Sequence, residues 1–326
     1  MPETFQAWVA REKDRPCALE TLDRSELPAG DVLVRVAYSS LNYKDALALT
    51  ARGKIVRQFP LIPGVDLAGF VEASNSPLFR VLDRVVLTGS GIGELRWGGL
   101  SQLARVSADG LLPLPQEFTF KQAMAIGTAG FTAMLSILAL EEHAIAPPAE
   151  VLVTGATGGV GSLAVAMLAK RGYIVTASTG KKDAANYLKS LGATTILDRS
   201  LLSKESKPLE SEHWKGAIDT VGGTTLATVL ASISPHGSVA TCGLAGDHQL
   251  KTTVYPFILR GVNLLGIDSN WCTPEQRRKI WRRLTLDLPL KLLDSITQEI
   301  SLKDAHAWSE TILQGAHRGR IVVKID

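Results

Sequence analysis

From residue 150 to residue 267, short apolar runs alternate with segments whose apolar positions recur at helical spacing. Residues 151–154 (VLVT), 173–177 (YIVTA), 194–197 (TTIL), 217–219 (AID), 238–242 (SVATC) and 262–267 (VNLLGI) read as six strands. Residues 162–170, 182–190 and 224–233 read as helices, and the turn Pro235-His236-Gly237 leads into the fifth strand. Crossovers of this length predict an α/β unit with a doubly wound parallel sheet. The first third has a different rhythm. A strand over residues 32–37 follows the turn Leu27-Pro28-Ala29-Gly30, residues 69–71 and 83–88 form two more, and residues 89–99 are a loop carrying five glycines. This part predicts a strand-rich, partly closed barrel. Between the two lie eighteen uncharged residues, 123–140, interrupted by Gly127, Thr128, Gly130, Thr132 and Ser136. They read as a buried helix rather than a membrane span. In the tail, residues 304–314 form an amphipathic helix stopped by Gly315, and residues 320–325 a strand that returns to the first domain.

At 326 residues the chain fits about two domains. With 45% hydrophobic and 21% charged residues it cannot be a disordered or collagen-like chain. A net charge of +3, from 35 basic and 32 acidic residues, is far too small for a nucleic-acid-binding stripe. Cys17, Cys242 and Cys272 are odd in number and form no CxxC pair, which excludes a disulfide framework or a four-cysteine zinc lobe. The first sixteen residues include Glu3, Arg11, Glu12, Lys13, Asp14 and Arg15 and hold no apolar signal region. The expectation is a reduced, cytoplasmic protein that acts on a small molecule, with no nucleic-acid or membrane partner.

The sharpest local signal is Thr154-Gly155-Ala156-Thr157-Gly158-Gly159-Val160-Gly161, which follows a strand and opens a helix. That is the setting of a dinucleotide fingerprint, with Ala156 in place of its first glycine and Gly158 and Gly161 kept. Gly158 lets the backbone approach a pyrophosphate, Gly161 lets the helix pack against the sheet, and the helix start offers free N–H groups. An NAD site wants an acid about 20 residues further on, at the end of the second strand. The chain has Ser178-Thr179-Gly180-Lys181-Lys182 there, with Arg199 after the third strand. Thr179, the lysines and Arg199 suit a 2′-phosphate, so the predicted cofactor is NADPH. The plainer alternative is a solvated basic turn.

The chain resembles the medium-chain dehydrogenase/reductase superfamily over nearly its whole length. Its segments Ser40-Leu41-Asn42-Tyr43-Lys44-Asp45-Ala46-Leu47, Pro63-Gly64-Val65-Asp66-Leu67-Ala68-Gly69 and Gly127-Thr128-Ala129-Gly130-Phe131-Thr132-Ala133-Met134 carry the likeness. Gly216-Ala217-Ile218-Asp219-Thr220-Val221-Gly222 and Tyr255-Pro256-Phe257-Ile258-Leu259-Arg260-Gly261 belong with them. It is most similar to the zinc-independent, quinone-oxidoreductase-like branch, and within it to the bacterial acrylyl-CoA reductase (AcuI/YhdH-type) group. The resemblance implies a GroES-like catalytic domain over residues 1–125 and 273–326, and a Rossmann NADP-binding domain over residues 126–272. It also implies a homodimer, with residues 262–267 as an edge strand available for pairing. Zinc enzymes of the superfamily use a Cys, a His and a second Cys. Here Asn42 stands at the first position and Val65-Asp66 where a His-Glu pair is expected, so a tetrahedral zinc site lacks its donors.

Tyr43 is a candidate catalytic or cofactor-holding residue, through a hydroxyl that holds the nicotinamide or substrate or passes a proton; the alternative is a boundary tyrosine. Thr128 is a second catalytic candidate, and both it and Thr132 suit either a nicotinamide carboxamide contact or plain helix packing. Leu244, Ile258 and Ser269 lie, by resemblance, in segments that line the nicotinamide. Arg52, Lys54 and Arg57 form a basic loop that suits coenzyme A phosphates but equally suits solvent. Asp66 and Asp219 read as buried, hydrogen-bonded carboxylates rather than general bases. Three readings follow. The first is an NADPH-dependent oxidoreductase acting on CH-CH groups, reducing acrylyl-CoA without a metal. The second is an NADPH:quinone oxidoreductase. The third is a non-catalytic NADPH-binding protein.

Overall fold

The computed structural model describes residues 3–326, which divide into two compact units. In chain order the elements are β1 (Thr4–Val9), β2 (Ala18–Asp23), β3 (Val32–Leu41), α1 (Tyr43–Leu49), β4 (Asp66–Ser74), β5 (Arg84–Thr88), β6 (Leu103–Val106), β7 (Leu112–Pro113) and α2 (Phe120–Glu142). They continue with β8 (Glu150–Val153), α3 (Gly159–Lys170), β9 (Ile174–Thr179), α4 (Ala185–Ser190), β10 (Thr195–Asp198), β11 (Trp214–Asp219), α5 (Gly223–Ser232), β12 (Ile233–Thr241), α6 (Tyr255–Arg260) and β13 (Asn263–Gly266). The chain ends with α7 (Pro274–Asp287), α8 (Leu290–Ser295), β14 (Thr297–Ser301), α9 (Ala305–Leu313) and β15 (Arg320–Lys324).

Unit 1 comprises Met1–Thr128, Ser269–Thr285 and Leu293–Asp326. Its seven-stranded sheet runs β14-β15-β3-β4-β5-β7, with β6 also paired to β3, and β1-β2 form a separate hairpin. The ten residues of β3 hold this sheet together. One edge pairs with β4, while the other is shared between β6 at Val32–Arg35 and β15 at Tyr38–Leu41. Alternating apolar residues such as Val34, Val36, Leu67, Val85 and Ile321 fill the interior. The C-terminal strand therefore belongs to this sheet, as its sequence pattern implies.

Unit 2 comprises Ala129–Asp268 and Leu286–Leu292. All its strands are parallel, in the order β10-β9-β8-β11-β12-β13. Numbered within the unit this is the 3-2-1-4-5-6 order of a doubly wound dinucleotide fold. Leu152, Ala217, Val229, Leu230 and Val239 form its core. One reading needs correction. The turn Pro235-His236-Gly237 is a bulge inside β12, because Trp214 pairs with Ile233 and Gly216 then pairs with Ser238. The segment around Ile258 is a short helix, α6, started by Pro256 and stopped by left-handed Gly261. Residues 286–292, from the last two residues of α7 into the first turn of α8, group with unit 2. The long apolar helix α2 breaks at Gly127, whose backbone (φ 48°, ψ −159°) is not helical.

Candidate cofactor and active site

In unit 2, β8 ends at the turn that opens α3. Gly158 caps this helix without any side-chain acceptor, so the N–H groups of Gly159, Val160 and Gly161 begin it uncapped. Thr157 is buried, whereas Gly158 is exposed and Gly159 and Val160 are half-buried, which leaves the helix start open to an anion. The tight turn falls to Gly155 (φ 57°) and not to the position of Ala156, the residue that replaces the fingerprint's first glycine. Ala156 instead is fully buried and donates its N–H to the Ser178 carbonyl at 3.0 Å. The floor of the turn is stitched by Asp219. Its carboxylate accepts from the Thr154 hydroxyl at 2.6 Å and from the Gly222 N–H at 2.9 Å, while burial pushes its pKa upward. Asp219 is therefore a structural carboxylate, in keeping with its sequence reading.

At the end of β9, Ser178 and Thr179 are buried and the Thr179 hydroxyl accepts from the Lys181 N–H at 3.1 Å. Arg199 lies against this turn: a Cβ on Gly180 would come within 2.4 Å of its Nε. The structure thus brings Ser178, Thr179, Gly180, Lys181 and Arg199 together. Asp198, opposite Thr179 in the sheet, spends its carboxylate on the Ser200 N–H at 2.8 Å. No acid stands at the end of β9 itself. Leu244 and Ile258, also in unit 2, are exposed apolar side chains.

In unit 1 the conspicuous feature is a buried charge cluster. Asp66 is fully buried and accepts from Ser40 Oγ (2.6 Å), Asn42 Nδ2 (2.8 Å), the Thr128 N–H (2.9 Å) and the Thr128 hydroxyl (2.7 Å). Asp45 is nearly as buried and accepts from the Val65 N–H, the Asn42 N–H and Asn42 Nδ2, each at 2.9 Å. Buried Arg320 supplies the positive charge beside both carboxylates. It donates to the Ala125 carbonyl at 2.7 Å and to Asn42 Oδ1 at 3.2 Å. The sequence reading missed Arg320. A cation opening the apolar strand Arg320-Ile321-Val322-Val323, in a chain with two acids in apolar surroundings, was the available signal.

Tyr43 begins α1 next to this cluster, is 44% exposed, and its hydroxyl meets no partner among the described residues. Thr128 differs, because its hydroxyl proton is given to Asp66. Thr132 is buried and its carbonyl accepts from Ser136. Ser269 is half-buried, with its carbonyl beside Gly89. Of the basic loop, Arg52 is engaged by Glu310 at 2.8 Å, while Lys54 and Arg57 are exposed.

Two family descriptions match the chain: an alcohol dehydrogenase GroES-like domain over residues 28–116 and a zinc-binding dehydrogenase over residues 159–285. An acrylyl-CoA reductase AcuI from Ruegeria pomeroyi is 49% identical over 311 residues, covering 95% of this chain and 94% of its own. The chain belongs to the medium-chain dehydrogenase/reductase superfamily. Within it, Escherichia coli K-12 YhdH with bound NADPH superposes at a TM-score of 0.96 and 50% identity, covering 98% of this chain and 100% of that one. Bacillus subtilis YhfP carries a quinone oxidoreductase name and is 48% identical over 330 residues, the full length of both chains. Its structure with NAD bound gives a TM-score of 0.94, covering 98% of this chain and 99% of that one.

The zinc in one of these family descriptions does not fit the donors present. Val65 has no ligating atom, Asn42 turns its amide N–H groups toward two carboxylates, and both Asp66 oxygens are taken by donors. The cluster is a closed hydrogen-bond network.

The network carries a pH signature. Burial first, then the Asp66 charge, push the Asp45 carboxyl up to about 6. The folded state therefore holds this proton more tightly than the unfolded chain, whose Asp titrates near 3.9. Asp45's contribution is full below about pH 4 and is lost as pH rises through about 6. The stability of the wild type relative to Asp45→Asn should fall by about 2–3 kcal/mol across that window. Urea unfolding of both proteins at several pH values checks this, and parallel curves would overturn it.

Proposed function

We propose that this protein is an NADPH-dependent acrylyl-CoA reductase that converts the 2-enoyl thioester to propionyl-CoA without a metal. The observation that carries this reading is the selector turn. Ser178 to Lys181 lie against Arg199 with no acid at the strand end, in a chain about half identical, nearly end to end, to an acrylyl-CoA reductase. The backbone at Thr157, Gly158, Gly159, Val160 and Gly161 would hold the pyrophosphate, and Ser178, Thr179, Gly180, Lys181 and Arg199 the 2′-phosphate. Leu244 and Ile258 would hold the nicotinamide end. When bound, NADPH supplies a hydride for the β-carbon of the enoyl group. Charge then develops on the thioester oxygen, a positioned hydrogen-bond donor lowers that barrier, and the α-carbon takes up a proton from water to complete propionyl-CoA. Tyr43 brings an exposed phenol with no partner among the described residues, so it can hold either the nicotinamide or that oxygen.

The test is NADPH oxidation measured side by side with acrylyl-CoA, crotonyl-CoA and a quinone. Acrylyl-CoA should give the largest kcat/KM, and a larger value for the quinone would replace this reading with quinone reduction. Arg199→Ala should cost about 1–3 kcal/mol in NADPH binding and little in NADH binding. Equal losses for the two cofactors would reject the 2′-phosphate assignment.

We also propose that the protein acts as a cytoplasmic homodimer. Strand β13 is an edge strand of the unit 2 sheet, so its open side offers unpaired backbone groups to a second copy. Among the described residues one helix, α2, is long and apolar enough to cross a membrane, but 83% of its apolar stretch is buried and it is interrupted at Gly127, as a core helix would be. Sedimentation analysis of the purified protein tests the dimer.

A further inference from the structure

We propose that an exposed face of unit 1, built from Trp271, Leu95, Arg57 and Arg96, binds the nucleotide end of coenzyme A. The proposal rests on reading the protein as a CoA-thioester reductase. Trp271 is 58% exposed, yet its backbone neighbour is fixed. The Asn270 carbonyl accepts from the Ser90 N–H at 3.1 Å and from Arg277 Nη2 at 2.7 Å, and the Asn270 side-chain oxygen accepts from the Gly91 N–H at 3.0 Å. Arg277 is itself buried and also donates to the Thr88 carbonyl. The indole edge lies over Gly91, where a Cβ would come within 3.1 Å of Cη2 and 3.8 Å of Leu95 Cδ1. Trp271 and Leu95 thus adjoin at one point, as a held, flat, exposed apolar platform.

The backbone anchors two arginines close by. The Gly91 carbonyl accepts from the N–H groups of Leu95 (2.9 Å) and Arg96 (3.0 Å), and Arg57 N–H donates to the Glu94 carbonyl at 3.0 Å. The Glu94 carboxylate is taken by Lys44 at 2.7 Å. Arg57 and Arg96 are exposed, and neither side chain has an ion-pair or hydrogen-bond partner among the described residues. A planar stacking surface on the loop that anchors two arginines with uncommitted guanidinium groups suits an adenine carrying phosphates. Coenzyme A ends in adenine with a 3′-phosphate and a diphosphate, and a quinone has neither.

Calorimetry with free coenzyme A and dephospho-CoA, on protein saturated with NADP+ so that the dinucleotide site is filled, tests the assignment. Trp271→Ala should raise the Kd for coenzyme A about tenfold, and Trp271→Phe should restore most of the affinity. The pair Arg57→Ser and Arg96→Ser should weaken coenzyme A more than dephospho-CoA, which lacks the 3′-phosphate. A Kd within twofold of wild type in folded Trp271→Ala would overturn the proposal, as would a wild type that does not bind coenzyme A. Failure of the parent reading looks different: coenzyme A would bind through Trp271 while acrylyl-CoA gave no NADPH oxidation.

Discussion

Arg320→Met should lower the unfolding free energy by about 3–5 kcal/mol, the largest single loss expected in unit 1. Arg320 is 3% exposed, and burial pulls its own pKa down while Asp66 and Asp45 hold it up. Methionine fills a similar volume, so little of the loss comes from packing. The cost comes from what remains: two buried carboxylates with no cation, and the Ala125 carbonyl and Asn42 Oδ1 stripped of their donors. The double variant Arg320→Met/Asp45→Asn separates these causes. Removing the Asp45 charge should recover about 1–3 kcal/mol of the loss, because the two residues share one electrostatic environment. Urea denaturation of the four proteins at pH 7 measures this. Additive effects would show that Arg320 acts through its hydrogen bonds rather than its charge.

Legibility from the sequence followed the range of the interactions. The six-strand rhythm of unit 2 was readable because its central strands β8, β9 and β11 are buried on both faces and each helix lies close in sequence to the strand it covers. The phosphate turn was readable for the same reason, since Gly158 and Gly161 act on their immediate neighbours. The exception is instructive: Gly155 makes the turn, and Ala156 is pinned by Ser178, a residue on the next strand. The bulge in β12 hid behind Pro235-His236-Gly237, a triplet that fits a turn equally well when only local chemistry is weighed. Unit 1 was harder. Its sheet joins β3 to β15 across nearly the full length of the chain, and its charge cluster joins Asn42, Asp45 and Asp66 to Arg320. No local pattern encodes a partner that far away. Asp66 could be read as buried, but not what it answers to.

Gly161→Val and Gly158→Ala should separate the two jobs of the glycine-rich turn. Gly161 is buried in the first turn of α3, and a Cβ there would sit 2.4 Å from the Gly155 carbonyl oxygen and 2.7 Å from Ala156 Cα. Both are backbone atoms inside a turn already fixed by Asp219 and Ser178, so neither can yield cheaply. Valine should therefore push the start of α3 off the sheet, cost about 2–3 kcal/mol of stability, and reduce NADPH affinity by roughly a hundredfold. Gly158 has an ordinary backbone (φ −77°), is exposed, and meets only the Gly155 carbonyl oxygen, at 3.3 Å from the Cβ position. Alanine there should change stability by less than about 1 kcal/mol. Its methyl group would instead stand where the pyrophosphate must come close, so NADPH affinity should still fall at least about tenfold. Thermal unfolding without cofactor, paired with NADPH titration, reads the two effects independently. Gly158→Ala binding NADPH as tightly as the wild type would mean that the pyrophosphate does not rest on this turn.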